Sequence, residues 1–132
     1  MTTQLNAYIR SEDAREQAAF YMQALGGEVH SVMTYGQIPG APEQAKDKVM
    51  HMVLSVAGGS ILFLADSPYE ASPAGRFISL SLTFDDEANA RHSFEKLAQD
   101  GTIKHPFVMQ PWGAYYGEIE DKFGVNWMIV KQ

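Results

Sequence analysis

Residues 80–101, LSLTFDDEANARHSFEKLAQDG, decide the fold of this chain because they join a strand to a helix. The alternating leucines before Phe84 predict a strand with one apolar face. Asp85 or Asp86 is a typical helix N-cap, and apolar residues then recur at helical spacing until Gly101. The stretch therefore predicts a strand followed directly by an amphipathic helix.

The same pattern occurs near the N-terminus, in residues 5–27, LNAYIRSEDAREQAAFYMQALGG. Asp13 and Glu16 predict a capping box at the start of the helix, and Gly26 with Gly27 predict its end. Three residues of the first helix region have counterparts in the second: Phe20, Ala24 and Gly27 recur as Phe94, Ala98 and Gly101. This correspondence indicates an internal duplication.

Three further strands are predicted after each helix. The predicted strands are 5–10, 29–35, 48–56 and 60–66 in the first half, and 77–84, 102–109, 114–120 and 125–130 in the second. Hairpin turns separate several of them, as at the glycine pair 58–59. We predict an α+β fold of two βαβββ modules, residues 4–66 and 77–131, in a single domain spanning 1–132, with a loop at 67–75 joining them.

Composition excludes several classes of function. The chain contains no cysteine, so disulfides, thiolate metal sites and a cysteine nucleophile are all ruled out. A formal net charge of -6 without a basic cluster disfavours nucleic acid as a partner. No stretch approaches the roughly 18 apolar residues of a membrane span, and no signal peptide is recognisable. We therefore expect a cytoplasmic protein with neither a membrane nor a nucleic-acid partner.

Strand alternation predicts which face of each sheet the helix leaves uncovered. The more apolar residues, including Leu5 and Tyr115, should lie beneath the helices, because a helix covers only one face of a sheet. The residues predicted on the opposite face are Asn6, Tyr8, Arg10, His51, Phe63, Ser79, Ser81, Tyr116, Glu118 and Met128. Aromatic walls with a few polar groups are typical of a small-molecule site. The alternative is a face that is partly solvated and partly buried in a dimer.

His51 and Glu118 are the candidate catalytic residues on this face. They could act as an acid/base pair or as two ligands of a displaced metal site. The alternative for His51 is a neutral imidazole that is hydrogen-bonded within the wall. If Glu118 is buried it needs a partner, which Arg10, Tyr116 or His51 could supply. Arg10 could instead attract an anionic ligand.

The remaining histidines and one tryptophan give weaker indications. His30, His92 and His105 show no metal-ligand spacing and are expected at the surface. Trp112, followed by Gly113, precedes the seventh predicted strand. Its indole could cover the site or pack against the neighbouring hairpin, and the sequence leaves both possibilities open.

Several segments of the chain resemble a known family. They are AFYMQALGGE at 19–28, MTYG at 33–36, DKVMH at 47–51, LSLTFDD at 80–86, WG at 112–113 and DKFGVNWM at 121–128. Together they resemble the PhnB-like group of the vicinal oxygen chelate superfamily, which includes glyoxalases, bleomycin-resistance proteins and extradiol dioxygenases. The resemblance implies a cup-shaped mixed sheet and a homodimer. Such proteins are often described as 3-demethylubiquinone 3-methyltransferase-like, but nothing here resembles a methyl-donor site such as a glycine-rich loop.

The resemblance also implies where a metal would be held. Enzymes of this superfamily bind a divalent metal through one ligand from each of four cup strands. The corresponding positions in this chain are Asn6, Phe63, Ser79 and Met128. A phenyl ring, a thioether, an amide and a hydroxyl do not make a strong site for such an ion. We therefore expect neither the usual metal nor another cofactor.

The sequence is compatible with three functions. The first is a homodimeric protein that binds a small, partly apolar molecule in its cup without the usual divalent metal. The alternative is a superfamily enzyme of the lyase, isomerase or dioxygenase type that uses His51 and Glu118. The third is a purely structural or partner-binding module. The sequence also does not show whether each cup forms within one chain or by exchange between two.

Overall fold

Residues 5–67 and 78–132 are described by a computed structural model of the protein. The chain divides into two compact units, Met1–Ser72 and Pro73–Gln132. Each unit has one α-helix and four strands within its described part. None of the helices in the described ranges is long and apolar enough to cross a membrane.

The first unit has one mixed sheet with a helix on one side. Its elements are β1 (Ala7–Ser11), α1 (Ala14–Leu25), β2 (Gly27–Thr34), β3 (Val49–Val56) and β4 (Ser60–Asp66). The strand order is β1-β4-β3-β2, with β1 parallel to β4 and the other pairs antiparallel. Between β2 and β3 the chain makes two short 3-10 turns, Tyr35–Gln37 and Glu43–Ala45.

The second unit repeats this arrangement. Its elements are β5 (Ser79–Phe84), α2 (Glu87–Leu97), β6 (Thr102–Met109), β7 (Tyr115–Glu120) and β8 (Asn126–Lys131). The strand order is β5-β8-β7-β6, again with one parallel pair, β5 and β8. The predicted α+β class with two βαβββ modules is therefore confirmed. The single domain over 1–132 stays a prediction, and the predicted loop at 67–75 lies, beyond residue 67, outside the described residues.

The predicted helix caps are present. The carboxylate of Asp13 accepts a hydrogen bond from the backbone N–H of Glu16 at 3.1 Å, and Asp86 caps α2 in the same way. In a capping box the side chain of Glu16 would accept a hydrogen bond from the backbone N–H of Asp13. Here that N–H donates instead to the hydroxyl of Ser11, at 3.0 Å. Gly26 ends α1 with a φ of 71°.

The two glycines of the internal repeat lie where backbone segments approach closely. A Cβ atom on Gly27 would lie 1.8 Å from the carbonyl oxygen of Ser55 in β3. A Cβ atom on Gly101 would lie 2.4 Å from the carbonyl oxygen of Glu120 in β7. Each glycine thus allows the chain leaving a helix to pack directly against the third strand of its own unit.

Large apolar side chains form the core of each unit. Those almost fully buried include Tyr21, Met52, Leu54 and Leu64 in the first unit and Leu97, Ile119, Trp127 and Ile129 in the second. One predicted core residue is wrong, because Leu5 is 98% exposed. The sheet begins only at Ala7, so Leu5 precedes the part of the chain that α1 covers.

Asp66 is a buried carboxylate that ties the first unit together. Its Oδ1 accepts from the N–H of Ala14 at 2.7 Å, at the first turn of α1. Its Oδ2 accepts from the N–H of Val49 at 2.8 Å, at the start of β3. A single side chain at the end of β4 therefore fixes both a helix start and a strand start, which explains its burial.

Asp121 has a similar role in the turn between β7 and β8. Its Oδ1 accepts from the N–H groups of Phe123 and Val125 at 2.9 and 3.0 Å. Its Oδ2 accepts from the indole N–H of Trp127 at 2.9 Å. These bonds hold the hairpin that precedes β8, so Asp121 stabilises the framework instead of facing a ligand.

Candidate functional site

Strand register places the predicted residues of the first unit on the face that α1 does not cover. Tyr8 lies beside Phe63, and Phe63 lies beside Val53, across three neighbouring strands. Residues in register project to the same face of a sheet. The alternate row, which contains Leu62 and Leu54, is buried. The predicted alternation is confirmed for these strands.

Three rings on this face form what we call the aromatic cluster, namely Tyr8, His51 and Phe63. The centroids of His51 and Phe63 are 5.0 Å apart, those of Tyr8 and His51 are 5.9 Å apart, and those of Tyr8 and Phe63 are 6.4 Å apart. Tyr8 remains 50% exposed, while the other two rings are half-buried. Such distances are typical of interacting rings. The cluster is thus a preformed apolar surface that a ligand can reach.

The imidazole of His51 packs against two aromatic rings. One prediction from the sequence was instead an imidazole that is hydrogen-bonded within the wall. Among residues 5–67 and 78–132, no hydrogen bond to its imidazole is present, and its contacts are with Tyr8 and Phe63. Nearby, Arg10 is exposed, and the side-chain amide of Asn6 donates to the carbonyl oxygen of Ile61 at 3.3 Å. The imidazole nitrogens therefore keep their capacity to bond a ligand.

A row of polar and apolar side chains crosses the second sheet on its equivalent face. Ser81 lies beside Met128, Met128 beside Glu118, and Glu118 beside His105, so the row spans all four strands. Ser79 lies on the same face two residues before Ser81, and its neighbour on β8 is the buried Asn126. By contrast, the guanidinium of Arg91 in α2 lies 5.8 Å from the centroid of the Tyr115 ring, as expected for a residue on the covered face.

Glu118 has the hydrogen-bonding partner that the sequence allowed for. The hydroxyl of Tyr116 donates to Oε2 of Glu118 at 2.8 Å. Burial, the hydrogen bond to Glu118 and the charge of that carboxylate together raise the pKa of Tyr116 to about 12. The phenol consequently stays protonated, and stays a donor, throughout the physiological pH range.

Two further rings flank Tyr116. The His105 ring centroid lies 5.7 Å from that of Tyr116 at an interplanar angle of 68°, and the Trp112 centroid lies 6.4 Å away at 66°. We call His105, Trp112, Tyr116 and Glu118 the Tyr116 group. His105, for which a surface position was expected, is partly exposed, with its ring against Tyr116 and its Nδ1 2.9 Å from the carbonyl oxygen of Pro106. Trp112 packs against the hairpin and is still 69% exposed.

The two candidate catalytic residues lie in different units. His51 belongs to the first unit and Glu118 to the second, and their register positions also differ. Glu118 lies beside Met128, whereas the residue beside Phe63 is Val53. His51 and Glu118 thus lie on strands in equivalent places of the two sheets, β3 and β7, but at positions that differ by two residues along the strand.

The four positions at which the resemblance would place a divalent metal do not fit such an ion. Phe63 contributes its ring to the aromatic cluster, and the Asn6 amide is engaged with a backbone carbonyl. Ser79 and Met128 offer only a hydroxyl and a thioether. Within the described ranges, no group of three or more His, Asp or Glu side chains is arranged to hold a metal. No chemical step is therefore assigned to a metal at these positions.

Comparison with known proteins identifies related chains and structures. "Protein YjdN" of Escherichia coli (strain K12) is 26% identical, and the similarity covers 86% of each chain. The structure of protein PA1353 from Pseudomonas aeruginosa is 32% identical, with a TM-score of 0.87 over 99% of this chain and 98% of that one. The PhnB protein from Bacillus cereus is 25% identical, with a TM-score of 0.82 over 98% and 100%.

The family follows from a match over nearly the whole chain. The sequence model of the Glyoxalase/Bleomycin resistance protein/Dioxygenase superfamily matches residues 4–129. This match agrees with the two βαβββ modules and with the PhnB-like resemblance inferred from the residues. The chain belongs to the glyoxalase/bleomycin resistance protein/dioxygenase superfamily.

Proposed function

We propose that this protein binds a small, partly apolar organic molecule on the helix-free faces of its sheets, without the usual divalent metal. The observation that carries the proposal is the aromatic cluster. Three rings in mutual contact lie on an uncovered sheet face, and Tyr8 is 50% exposed. Exposed aromatic side chains that are grouped in this way mark binding surfaces more often than isolated ones do.

The polar groups beside these rings support the same function. His51 offers ring nitrogens within the aromatic cluster, and in the second unit Glu118 and Tyr116 form a hydrogen-bonded pair on the helix-free face. Ligand sites typically combine apolar walls with a small number of polar groups that orient the ligand. The helix-free face of the sheet in each unit has that composition.

A thermal denaturation screen tests the proposal. The probes are single-ring and double-ring aromatic compounds, including indole, 2-naphthol and benzoate. A compound present at a hundredfold excess over its Kd should stabilise the protein by about 2.7 kcal/mol. The proposal fails if every compound leaves the melting temperature unchanged, which is the result expected of a purely structural or partner-binding module.

Replacing the aromatic cluster should abolish this effect for any compound that binds there. We expect the double variant Tyr8→Ala/Phe63→Ala to lose the ligand-induced rise in Tm, because both replaced rings supply contact area. Ile38→Ala is the matched control, since Ile38 is also an exposed apolar residue of the first unit. An undiminished Tm rise in the double variant would place the binding surface elsewhere.

A second candidate function is an enzyme of the lyase, isomerase or dioxygenase type that uses His51 and Glu118 as acid/base residues or as displaced metal ligands. The half-buried Glu118, held by the hydroxyl of Tyr116, favours it because a positioned carboxylate can transfer protons. Elemental analysis of protein purified without chelators distinguishes the candidates. Stoichiometric zinc, nickel, manganese or iron would support the enzyme and contradict binding without a metal.

We also propose that two copies of the chain associate in the cytoplasm. Strands β2 and β6 are the last strands in their sheets, and each carries exposed apolar residues, namely Val32 and Met33 on β2 and Val108 and Met109 on β6. An edge strand that carries exposed apolar residues offers a second chain both unpaired backbone groups and apolar surface. Sedimentation equilibrium should give twice the mass of 14.7 kDa, and a monomer at micromolar concentration would contradict the proposal.

A further inference from the structure

The rings of the Tyr116 group are arranged as walls around the phenol of Tyr116. His105 meets the Tyr116 ring at 68° and Trp112 meets it at 66°, with centroids 5.7 and 6.4 Å from its own. Both neighbouring rings are therefore steeply inclined to the ring of Tyr116 and are not stacked on it. Aromatic rings commonly pack against one another at such angles, with the edge of one ring directed at the face of the other.

The same group contains a carboxylate. Oε2 of Glu118 accepts from the hydroxyl of Tyr116, and in residues 5–67 and 78–132 no Lys, Arg or His forms an ion pair with Glu118. Lys104, on the neighbouring strand β6, donates instead to the side-chain oxygen of Asn126 at 2.8 Å. The negative charge of Glu118 is thus held in place by the Tyr116 hydroxyl, and no cationic side chain of the described residues pairs with it.

The group is also accessible. Trp112 lies in the short loop between β6 and β7, which is closed by a hydrogen bond from the N–H of Gln110 to the carbonyl oxygen of Ala114 at 2.8 Å. With 69% of its surface exposed, the indole can contact a molecule that approaches this face. The hydrogen-bonded loop limits how far the indole can move away from Tyr116.

We propose that the Tyr116 group recognises the ammonium group of an organic cation. The inference rests on the proposed function and names the chemical class of its ligand. The faces of Trp112 and Tyr116 attract a cation through their ring quadrupoles, and Glu118 adds a full opposite charge. A methylated or alkylated ammonium fits best, because it is only weakly hydrated and its alkyl groups contact the rings.

Other occupants fit this group less well. A divalent metal would find only the imidazole of His105 and the carboxylate of Glu118, since phenyl-type faces do not ligate and the phenol of Tyr116 stays protonated. An anion would be repelled by Glu118. A neutral apolar group would gain no attraction from the negative charge of Glu118.

Choline and its neutral isostere 3,3-dimethylbutan-1-ol test the inference, because they differ in one atom and in charge. Each is titrated into the full-length protein while the two indole N–H signals are followed by NMR. Choline should shift the signal of Trp112, leave that of the buried Trp127 in place, and bind at least about tenfold more tightly than the alcohol. Equal affinity, or no binding of choline, overturns the inference.

Matched variants identify the groups responsible. Glu118→Gln should weaken choline binding by about tenfold or more and leave the affinity for the alcohol unchanged. Glu95→Gln, which removes an exposed carboxylate from α2 of the same unit, should have no effect on either. Trp112→Ala should weaken choline binding roughly 2- to 30-fold, and Trp112→Phe should restore most of it. An unchanged affinity in Glu118→Gln overturns the inference.

The screen with aromatic compounds distinguishes failure of the ammonium inference from failure of the proposed function. If aromatic compounds stabilise the protein through Tyr8 and Phe63 while choline does not bind, only the ammonium inference fails. If neither class of compound binds, the proposed function fails with it.

Discussion

At the scale of single residues, the pair of Tyr116 and Glu118 shows how a sheet face gains chemical character. The two side chains are separated by one residue on β7 and therefore project to the same face, where the phenol donates to the carboxylate at 2.8 Å. Burial, this hydrogen bond and the negative charge all oppose ionisation of the phenol, which raises its pKa to about 12. The pair offers a ligand a carboxylate that the phenol holds in place.

The pKa of Tyr116 provides a direct test of this pair. We expect Glu118→Gln to lower it, because the variant removes the charge and weakens the hydrogen bond, although burial continues to raise the pKa. NMR titration of ring-labelled tyrosine measures it, in a Tyr115→Phe background because Glu87 also raises the pKa of Tyr115. A pKa of Tyr116 that is the same with and without the charge of Glu118 would refute the contact.

Linkage gives the same pair a signature in stability. A phenol whose pKa is raised on folding contributes stability fully below its unfolded value of 10.0, and that contribution is lost as pH rises through about 12. We therefore expect the free energy of unfolding to fall between pH 10 and 12. Tyr116→Phe, which cannot ionise, should show a shallower decline in urea denaturation over that range.

The sequence predicted part of the candidate site at this scale. Alternation correctly assigned Tyr8, Phe63 and Glu118 to the helix-free faces, because β1, β4 and β7 are regular over those residues. It missed His105, since the register of β6 against β7 shifts on both sides of that residue. A bulge inverts alternation, and Pro106 was the residue that could have marked it, because proline within a strand is found mainly on edge strands and at bulges.

At the scale of secondary-structure elements, the recurrence of Gly27 and Gly101 has a steric cause. In each unit the chain leaves the helix and enters the second strand against the backbone of the third. Any side chain there would overlap a carbonyl oxygen. The duplicated glycine is therefore a requirement of the βαβββ module itself, which is why the element order could be predicted from sequence while details such as the 3-10 turns could not.

Substitution of Gly101 tests this explanation. We expect Gly101→Ala to destabilise the protein by about 1–3 kcal/mol in urea denaturation, because the new methyl group would force β7 and the turn apart. The preceding residue, Asp100, has a φ of 59°, a conformation that glycine adopts freely. Asp100→Gly should accordingly change stability by no more than about 0.5 kcal/mol. Equal effects of the two changes would argue against a close backbone approach.

At the scale of the whole molecule, the chain is two copies of one module that have kept the framework and diverged on the helix-free faces. The first carries the aromatic cluster and the second carries the Tyr116 group. Family membership and the order of the elements were readable from sequence because both depend on repeated patterns. The ligand was not, because alternation assigns residues to a face but does not show which side chains meet across neighbouring strands.

The central claim is that a small molecule binds to the helix-free faces, and NMR mapping tests it most directly. An aromatic probe that raises the Tm is titrated into protein with labelled aromatic and methionine side chains. We predict shifts confined to helix-free positions such as Tyr8, His51, Phe63, Tyr116 and Met128. Shifts confined to buried residues of the helices, such as Tyr21 and Phe94, or no shifts at all, would contradict binding to the helix-free faces.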